Sequence, residues 1–297
     1  MICYLTWLDA RNRRLIADLA GSFPVIVNHQ AVAYPRTRCC HAINQPYICS
    51  MKIIPLSEGA FTIDKTKLFV PFDTSTDDLQ QRPVGSLLVE VQPFAVITNE
   101  DILVLDTGLG FEKDGQLQIH ANLLAAGIGP SEVTKVLMSH LHKDHAGGIS
   151  REMPDGRREL AFPQATYYIQ RKELEYAFEK GPSSYIREEL EILKDSPRVT
   201  FLDGNGAIDG YIGYEVTGAH CPYHQVFRIV DGGETAFFGG DVAPQLQQMK
   251  SRFVAKYDYD GKKAMELRQE WWEKGRQLGW TFMFYHDVKV PIFSPAS

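Results

Sequence analysis

The chain has 297 residues and a formal net charge of −6, with 44% hydrophobic and 23% charged residues. That is the composition of an ordinary globular protein, with room for one large domain or two small ones. The acidic balance disfavours a nucleic-acid partner, and no apolar run approaches the ~18 residues of a membrane span.

Residues 1–50 stand apart. They hold no Lys or Glu, five Arg and two Asp, a net +3 against −9 for the remainder, and they carry Cys3, Cys39, Cys40 and Cys49 of the five cysteines. They lack the clean apolar stretch of a signal peptide, and Cys39-Cys40-His41 with Cys49 matches no zinc-finger spacing. From Met51 onward Cys221 is the one cysteine, so no disulfide can close within that stretch, which points to a reducing, cytoplasmic setting.

Beyond Met51 the pattern alternates strands and helices. Residues 86–91 and 94–98 read as a strand pair turned at Gln92-Pro93. Residues 102–105 read as a buried strand, followed by a helix over 116–126 that stops at Gly127 and a strand over 133–138. Helices are expected over 171–180 and 184–194, separated by Gly181-Pro182. Three strands follow, 214–216, 226–230 and 235–238, the last two joined through Asp231-Gly232-Gly233. An amphipathic helix over 262–278, packed by Trp271, Trp272 and Trp280, leads into a final strand, 281–285. There is no internal repeat and no Gly-x-Ser-x-Gly nucleophile elbow.

The densest chemical signal is His140-Leu141-His142-Lys143-Asp144-His145. Neutral imidazole and carboxylate suit zinc or a similar divalent ion. Residues two apart on an extended segment face one side, so His140 and His142 can share a metal, while Asp144 and His145 follow at a turn and aim elsewhere. Further ligand-type residues sit where strands give out: His220 in a Gly/Pro-punctuated loop, Asp241 after Phe237-Phe238-Gly239-Gly240, and His286 after Phe284-Tyr285. Such strand ends are where α/β architectures place their chemistry.

Taken in this order, His-x-His-x-Asp-His and then a distant His, Asp and His, these residues resemble the metallo-β-lactamase-fold hydrolases, from about Met51 to the C-terminus. The resemblance implies an α/β (α+β) fold, a four-layer αβ/βα sandwich of two mixed β-sheets flanked by helices. It implies two divalent metal ions, zinc by default with manganese, iron or cobalt as alternatives. His140, His142 and His220 would hold one ion, Asp144, His145 and His286 the other, and Asp241 would bridge them. Leu103-Val104-Leu105-Asp106-Thr107-Gly108 looks like the family's strand and Asp-Thr-Gly turn, with Asp106 fixing a ligating imidazole. His224 matches a second His of the His220 loop, which orients that loop or faces substrate. Residues 51–56 read as the family's opening strand. The domain is therefore expected to span 51–297, with 1–50 a non-native or disordered extension.

In such a site a hydroxide held between the ions attacks an electrophilic carbon or phosphorus, with Asp144 and Asp241 as the catalytic carboxylates. The set looks most like the lactonase and phosphotriesterase branch, whose substrates are small esters, lactones or organophosphates. The acyl-homoserine lactonases carry a carbonyl-binding Tyr three residues past the bridging Asp. Here that position is Pro244, and Tyr223 is the candidate substitute. Phe69 and Phe72, in the stretch that overhangs the metals in related hydrolases, are candidate substrate contacts, or else pin a hairpin to the core. The expected partner is a small molecule, without nucleic acid or membrane, and a homodimer is compatible. The alternatives are a glyoxalase-II-like thioesterase, which calls for a basic patch near the site, and a non-catalytic metal-binding protein.

Overall fold

The computed structural model describes residues 50–181 and 183–295. The expectations for residues 1–49, the Cys39-Cys40-His41 cluster included, lie outside the described residues. Two six-stranded sheets form the frame. In spatial order the first contains Lys52–Pro55, Phe94–Ile97, Ile102–Leu105, Lys135–Leu137, Thr166–Gln170 and Val199–Leu202. Its first three strands are antiparallel neighbours and the rest run parallel. The second contains Gly206–Ile208, Ile212–Val216, Gln225–Asp231, Glu234–Phe238, Thr281–Met283 and Ile292–Phe293, antiparallel except where Glu234–Phe238 meets Thr281–Met283.

Strand side chains alternate between faces, and the alternation divides the buried apolar residues of the two large sheets among three cores. Leu103 and Leu105 face inward with Phe94 and Val96, meeting Phe227, Ile229, Phe238 and Met283 of the second sheet. Val104 and Val136 face outward, against Ile119 and Leu123 of the helix Gln118–Ala125 and Leu174 of the helix Arg171–Lys180. On the other flank Phe237 and Phe282 pack against Trp271 of the helix Gly261–Leu278 and against Trp280. That helix starts where Asp260 accepts a hydrogen bond from the Lys263 amide at 3.0 Å. It buries Ala264, Arg268, Trp271 and Gly275, a three-to-four-residue stripe. The result is the expected four-layer αβ/βα sandwich. Among the described residues no helix is long and apolar enough to cross a membrane.

Two expectations need correction. Leu87–Val91 and Phe94–Ile97 do not pair with each other. The first joins Gly59–Ile63 and Val70–Pro71 in a separate three-stranded sheet, while the second pairs with Lys52–Pro55 and Ile102–Leu105. Pro93 has no N–H for a tight hairpin turn, and its carbonyl instead accepts from Leu56 N at 2.7 Å, so Gln92-Pro93 is a corner between sheets. The helix expected over 184–194 is reduced to Arg187–Leu190 with a 3-10 turn at Glu191–Leu193.

A polar tie links the sheets at the end away from the His140 loop. The Asp101 carboxylate accepts from Lys135 Nζ at 2.5 Å, from Thr134 Oγ1 at 2.7 Å and from Tyr211 OH. Burial works to raise the Asp101 carboxyl, but the Lys135 ammonium and the two hydroxyls outweigh it and hold the group below its ordinary value. A depressed carboxylate contributes stability that is present above its unfolded value and lost as pH falls through the folded one. Asp101→Asn is expected to lose about 1–3 kcal/mol at neutral pH, with the gap to the wild type narrowing below the ordinary carboxylate range. Urea denaturation across pH measures this, and equal midpoints at neutral pH would contradict it.

Candidate metal centre

The His140 loop is built by a change of backbone geometry. Past the strand Lys135–Leu137 the chain bends at Ser139 and reaches His142 in an extended conformation (φ −60°, ψ 151°), where it turns into the short helix Lys143–Ala146. His140 and His142 stand side by side, ring centroids 4.4 Å apart, and the helical turn brings His145 beside His140 and next to Asp144 and Asp241. Gly147 closes the turn against the Leu109 carbonyl, where a Cβ would lie only 2.3 Å from the oxygen. Gly240, at φ +47°, lets Asp241 enter, since a Cβ there would meet His224 Nε2 at 2.7 Å.

All seven residues singled out as ligands converge. His142 Nδ1 lies 2.9 Å from His140 Nε2 and 3.1 Å from His220 Nε2. Asp144 Oδ2 lies 3.7 Å from His145 Nε2 and 3.5 Å from His286 Nε2. Asp241 stands between these groups. Its Oδ1 is 3.0 Å from both His145 Nε2 and His286 Nε2, and its Oδ2 is 3.3 Å from His220 Nε2. His140 with His142 and His220, and Asp144 with His145 and His286, are each close enough to share one ion.

The outward-facing atoms of the imidazoles are held. His145 Nδ1 is 2.7 Å from Asp106 Oδ2, whose carboxylate also accepts from Ser139 N and Oγ at 2.7 and 2.6 Å. His220 Nδ1 is 3.0 Å from Asp258 Oδ1, His286 Nδ1 is 2.6 Å from the Glu90 carbonyl, and His140 Nδ1 is 3.0 Å from Ser139 Oγ. Such bonds fix which nitrogen carries the proton and leave the other lone pair free for a metal.

The inner atoms fit a cation. His145 Nε2 and Asp241 Oδ1 are buried and form no hydrogen bond although only 3.0 Å apart. Two nitrogens on one tetrahedral zinc at ~2.05 Å stand about 3.3 Å apart, close to the spacings among His140, His142 and His220. Burial and the neighbouring imidazoles push His140 and His142 well below the ordinary histidine value, so they stay neutral and able to donate. Burial opposes charge on His145 as well, but Asp241, Asp144 and Asp106 overcome it and raise that ring well above the usual value. Burial likewise opposes charge on Asp241, yet His286, His145 and His220 hold its carboxyl far down. The acidic half of the centre thus draws positive charge.

The remaining expected residues divide. His224 is fully buried; its Nε2 accepts from Asp241 N at 3.1 Å and its Nδ1 is 3.2 Å from Thr217 Oγ1, so its ring ties the His220 loop to the Asp241 turn. Phe69 packs edge-on to Phe61 at 6.0 Å and Phe72 is buried. Phe69 thereby joins the core between the two sheets, and among the described residues neither ring pairs with an imidazole. Tyr223 lies 5.9 Å from the Tyr176 ring. Pro244 uses its carbonyl to accept from His286 N at 3.0 Å.

Three residues escaped the sequence reading. Asp258 holds His220 across 38 positions. Tyr257 stands beside it, half exposed, with its ring 6.2 Å from His220. Glu173, 1% exposed, accepts from Leu141 N and Tyr185 OH at 3.2 Å each and from Cys221 Sγ at 3.4 Å. Burial pushes its carboxyl up to about 7 against the pull of those donors. Nothing local in the sequence distinguishes it from the other acidic residues of its helix.

Comparison with known proteins agrees with this geometry. Residues 88–271 match the metallo-beta-lactamase superfamily, a stretch that holds all the converging residues but His286. N-acyl homoserine lactonase AttM of Azorhizobium caulinodans is 34% identical over 122 residues, 37% of this chain and 40% of the relative. The protein of the same name from Agrobacterium fabrum is 36% identical over 118 residues, 35% of this chain and 39% of the relative. The match therefore spans about two fifths of those relatives' length. Among solved structures, a probable metal-dependent hydrolase from Staphylococcus aureus superposes with a TM-score of 0.67 at 21% identity, covering 83% of this chain and 93% of that one. The dizinc quorum-quenching lactonase AidC superposes with a TM-score of 0.61 at 16% identity, covering 84% and 92%. With the sandwich, the converging His/Asp set and the matched sequence in agreement, the chain belongs to the metallo-beta-lactamase superfamily.

Proposed function

We propose that residues 51–297 form a hydrolase domain carrying two divalent cations, zinc in the first instance, that cleaves a small lactone, ester or organophosphate. His140, His142 and His220 hold one ion, Asp144, His145 and His286 the other, and Asp241 spans the two. The observation that carries this reading is the Asp241 carboxylate, whose two oxygens face the two groups separately, one buried without a hydrogen bond. Cations bound there supply Lewis acidity, the chemistry that polarises a carbonyl or phosphoryl oxygen and makes water acidic.

The chain's own residues do the rest. Asp106, Asp258 and the Glu90 carbonyl keep the imidazole lone pairs turned inward. Asp144, with one oxygen 3.5 Å from His286 Nε2, is placed to carry a proton to the leaving oxygen. Tyr257, rather than Tyr223, takes the place of the Tyr missing at Pro244: its half-exposed phenol stands beside His220 and can donate to a developing oxyanion. The segment after Ile63 reaches the metal loop through Lys143 Nζ, which donates to the Lys67 carbonyl at 2.6 Å, and its exposed Leu68, Val70 and Leu79 are available to an apolar part of a substrate.

A thioesterase acting on an anionic thiol carrier is the second reading. It draws support from the ammonium groups of Lys67 and Lys143, which gather with Ser184 at the edge of the metal loop. A panel of homoserine lactones, aryl esters, phosphotriesters and glutathione thioesters separates the two readings.

His142→Ala and Asp241→Ala are each expected to lower bound metal and to abolish turnover. Plasma emission after dialysis measures the metal, and unchanged metal content in both variants would refute the assignment. Tyr257→Phe is expected to lower kcat for the best substrate by roughly 10²-fold, the cost of an oxyanion donor, with bound metal unaltered. Wild-type kcat in that variant would remove Tyr257 from the mechanism.

A further inference from the structure

The Leu141 amide lies between two imidazole residues, past the end of the strand Lys135–Leu137, so no strand neighbour takes its hydrogen. It donates instead to Glu173 Oε1 at 3.2 Å, and the same oxygen receives Tyr185 OH at 3.2 Å. The Tyr185 ring packs against His142, centroids 4.9 Å apart. The other oxygen, Oε2, receives Cys221 Sγ at 3.4 Å, and Cys221 directly follows His220. One buried carboxyl therefore touches the backbone between His140 and His142, the ring behind His142 and the residue beside His220. By contrast, His145 and His286 are held by Asp106 and the Glu90 carbonyl.

On the basis of the dinuclear reading above, we infer that Glu173 is a positioning residue for one of the two metal sites. By gripping the Leu141 amide, Tyr185 and Cys221 together, it sets the mutual orientation of His140, His142 and His220, and it leaves the Asp144, His145 and His286 group to its own supports. The acceptor geometry carries this role. A Gln side chain keeps one oxygen for Leu141 N and Tyr185 OH, whereas Ala removes the acceptor and Asp falls one methylene short.

Metal-free protein titrated with Co2+ against a chromophoric chelator, with the ligand-field absorption recorded, tests the inference. Glu173→Ala is expected to weaken one of two equivalents by roughly 10–100-fold, the usual effect of removing a group that orients ligands, and to alter the absorption of that equivalent alone. Glu173→Gln is expected to stay within about threefold of wild type on the same scale. If Glu173→Ala does not fold, Glu173→Asp gives the same reading. Wild-type affinities in the Ala or Asp variant would overturn the inference. So would equal weakening of both equivalents together with a lower Tm of the metal-free protein, or a Gln variant as weak as Ala. A wild-type protein that takes up no Co2+ would overturn the proposed function and the inference with it, whereas two tight equivalents in every variant would overturn the inference alone.

Discussion

A buried carboxylate with an unsatisfied oxygen is expensive, because it has left water without finding a donor. Asp241 is in that position, its Oδ1 flanked by His145 and His286 and its Oδ2 by His220. Shared positive charge offsets the cost, and the sandwich is arranged around that carboxylate. Four loops at the ends of strands deliver their polar residues to one place, while the three apolar cores keep the strands in register.

Around this centre lies a ring of hydrogen-bond acceptors that hold the imidazoles and the backbone beside them. Asp106 serves His145, Asp258 serves His220, the Glu90 carbonyl serves His286, and Glu173 serves the backbone between His140 and His142. His224 and the Pro244 carbonyl do the same for the Asp241 turn and for His286 N. Few of these acceptors face solvent, so their placement was settled by folding and costs little reorganisation when a charge arrives. Two glycines, Gly147 and Gly240, leave the room that a Cβ would occupy.

Much of this was legible in the sequence because it is local. His140 to His145 lie within six residues, the strand alternation from Ile102 to Leu105 is a period of two, and the stripe Ala264, Arg268, Trp271 and Gly275 is a helical period. What the sequence hid depends on pairs far apart in the chain. Glu173 meets Leu141 across 32 positions and Cys221 across 48, and Asp258 meets His220 across 38. Gln92-Pro93 looks like a hairpin turn from its neighbours alone. It becomes a corner because Phe94–Ile97 finds Lys52–Pro55, a partner some forty residues earlier. Phe69 and Phe72 were ambiguous for the same reason, since only the fold reveals that Phe61 waits to receive Phe69.

The most direct test of the central claim is a crystal of the metal-loaded protein measured at the absorption edge of the bound metal. Two anomalous peaks on opposite sides of the Asp241 carboxylate, one against His140, His142 and His220 and the other against Asp144, His145 and His286, are the predicted result. A single peak on one side, or none within bonding distance of Asp241, would contradict it.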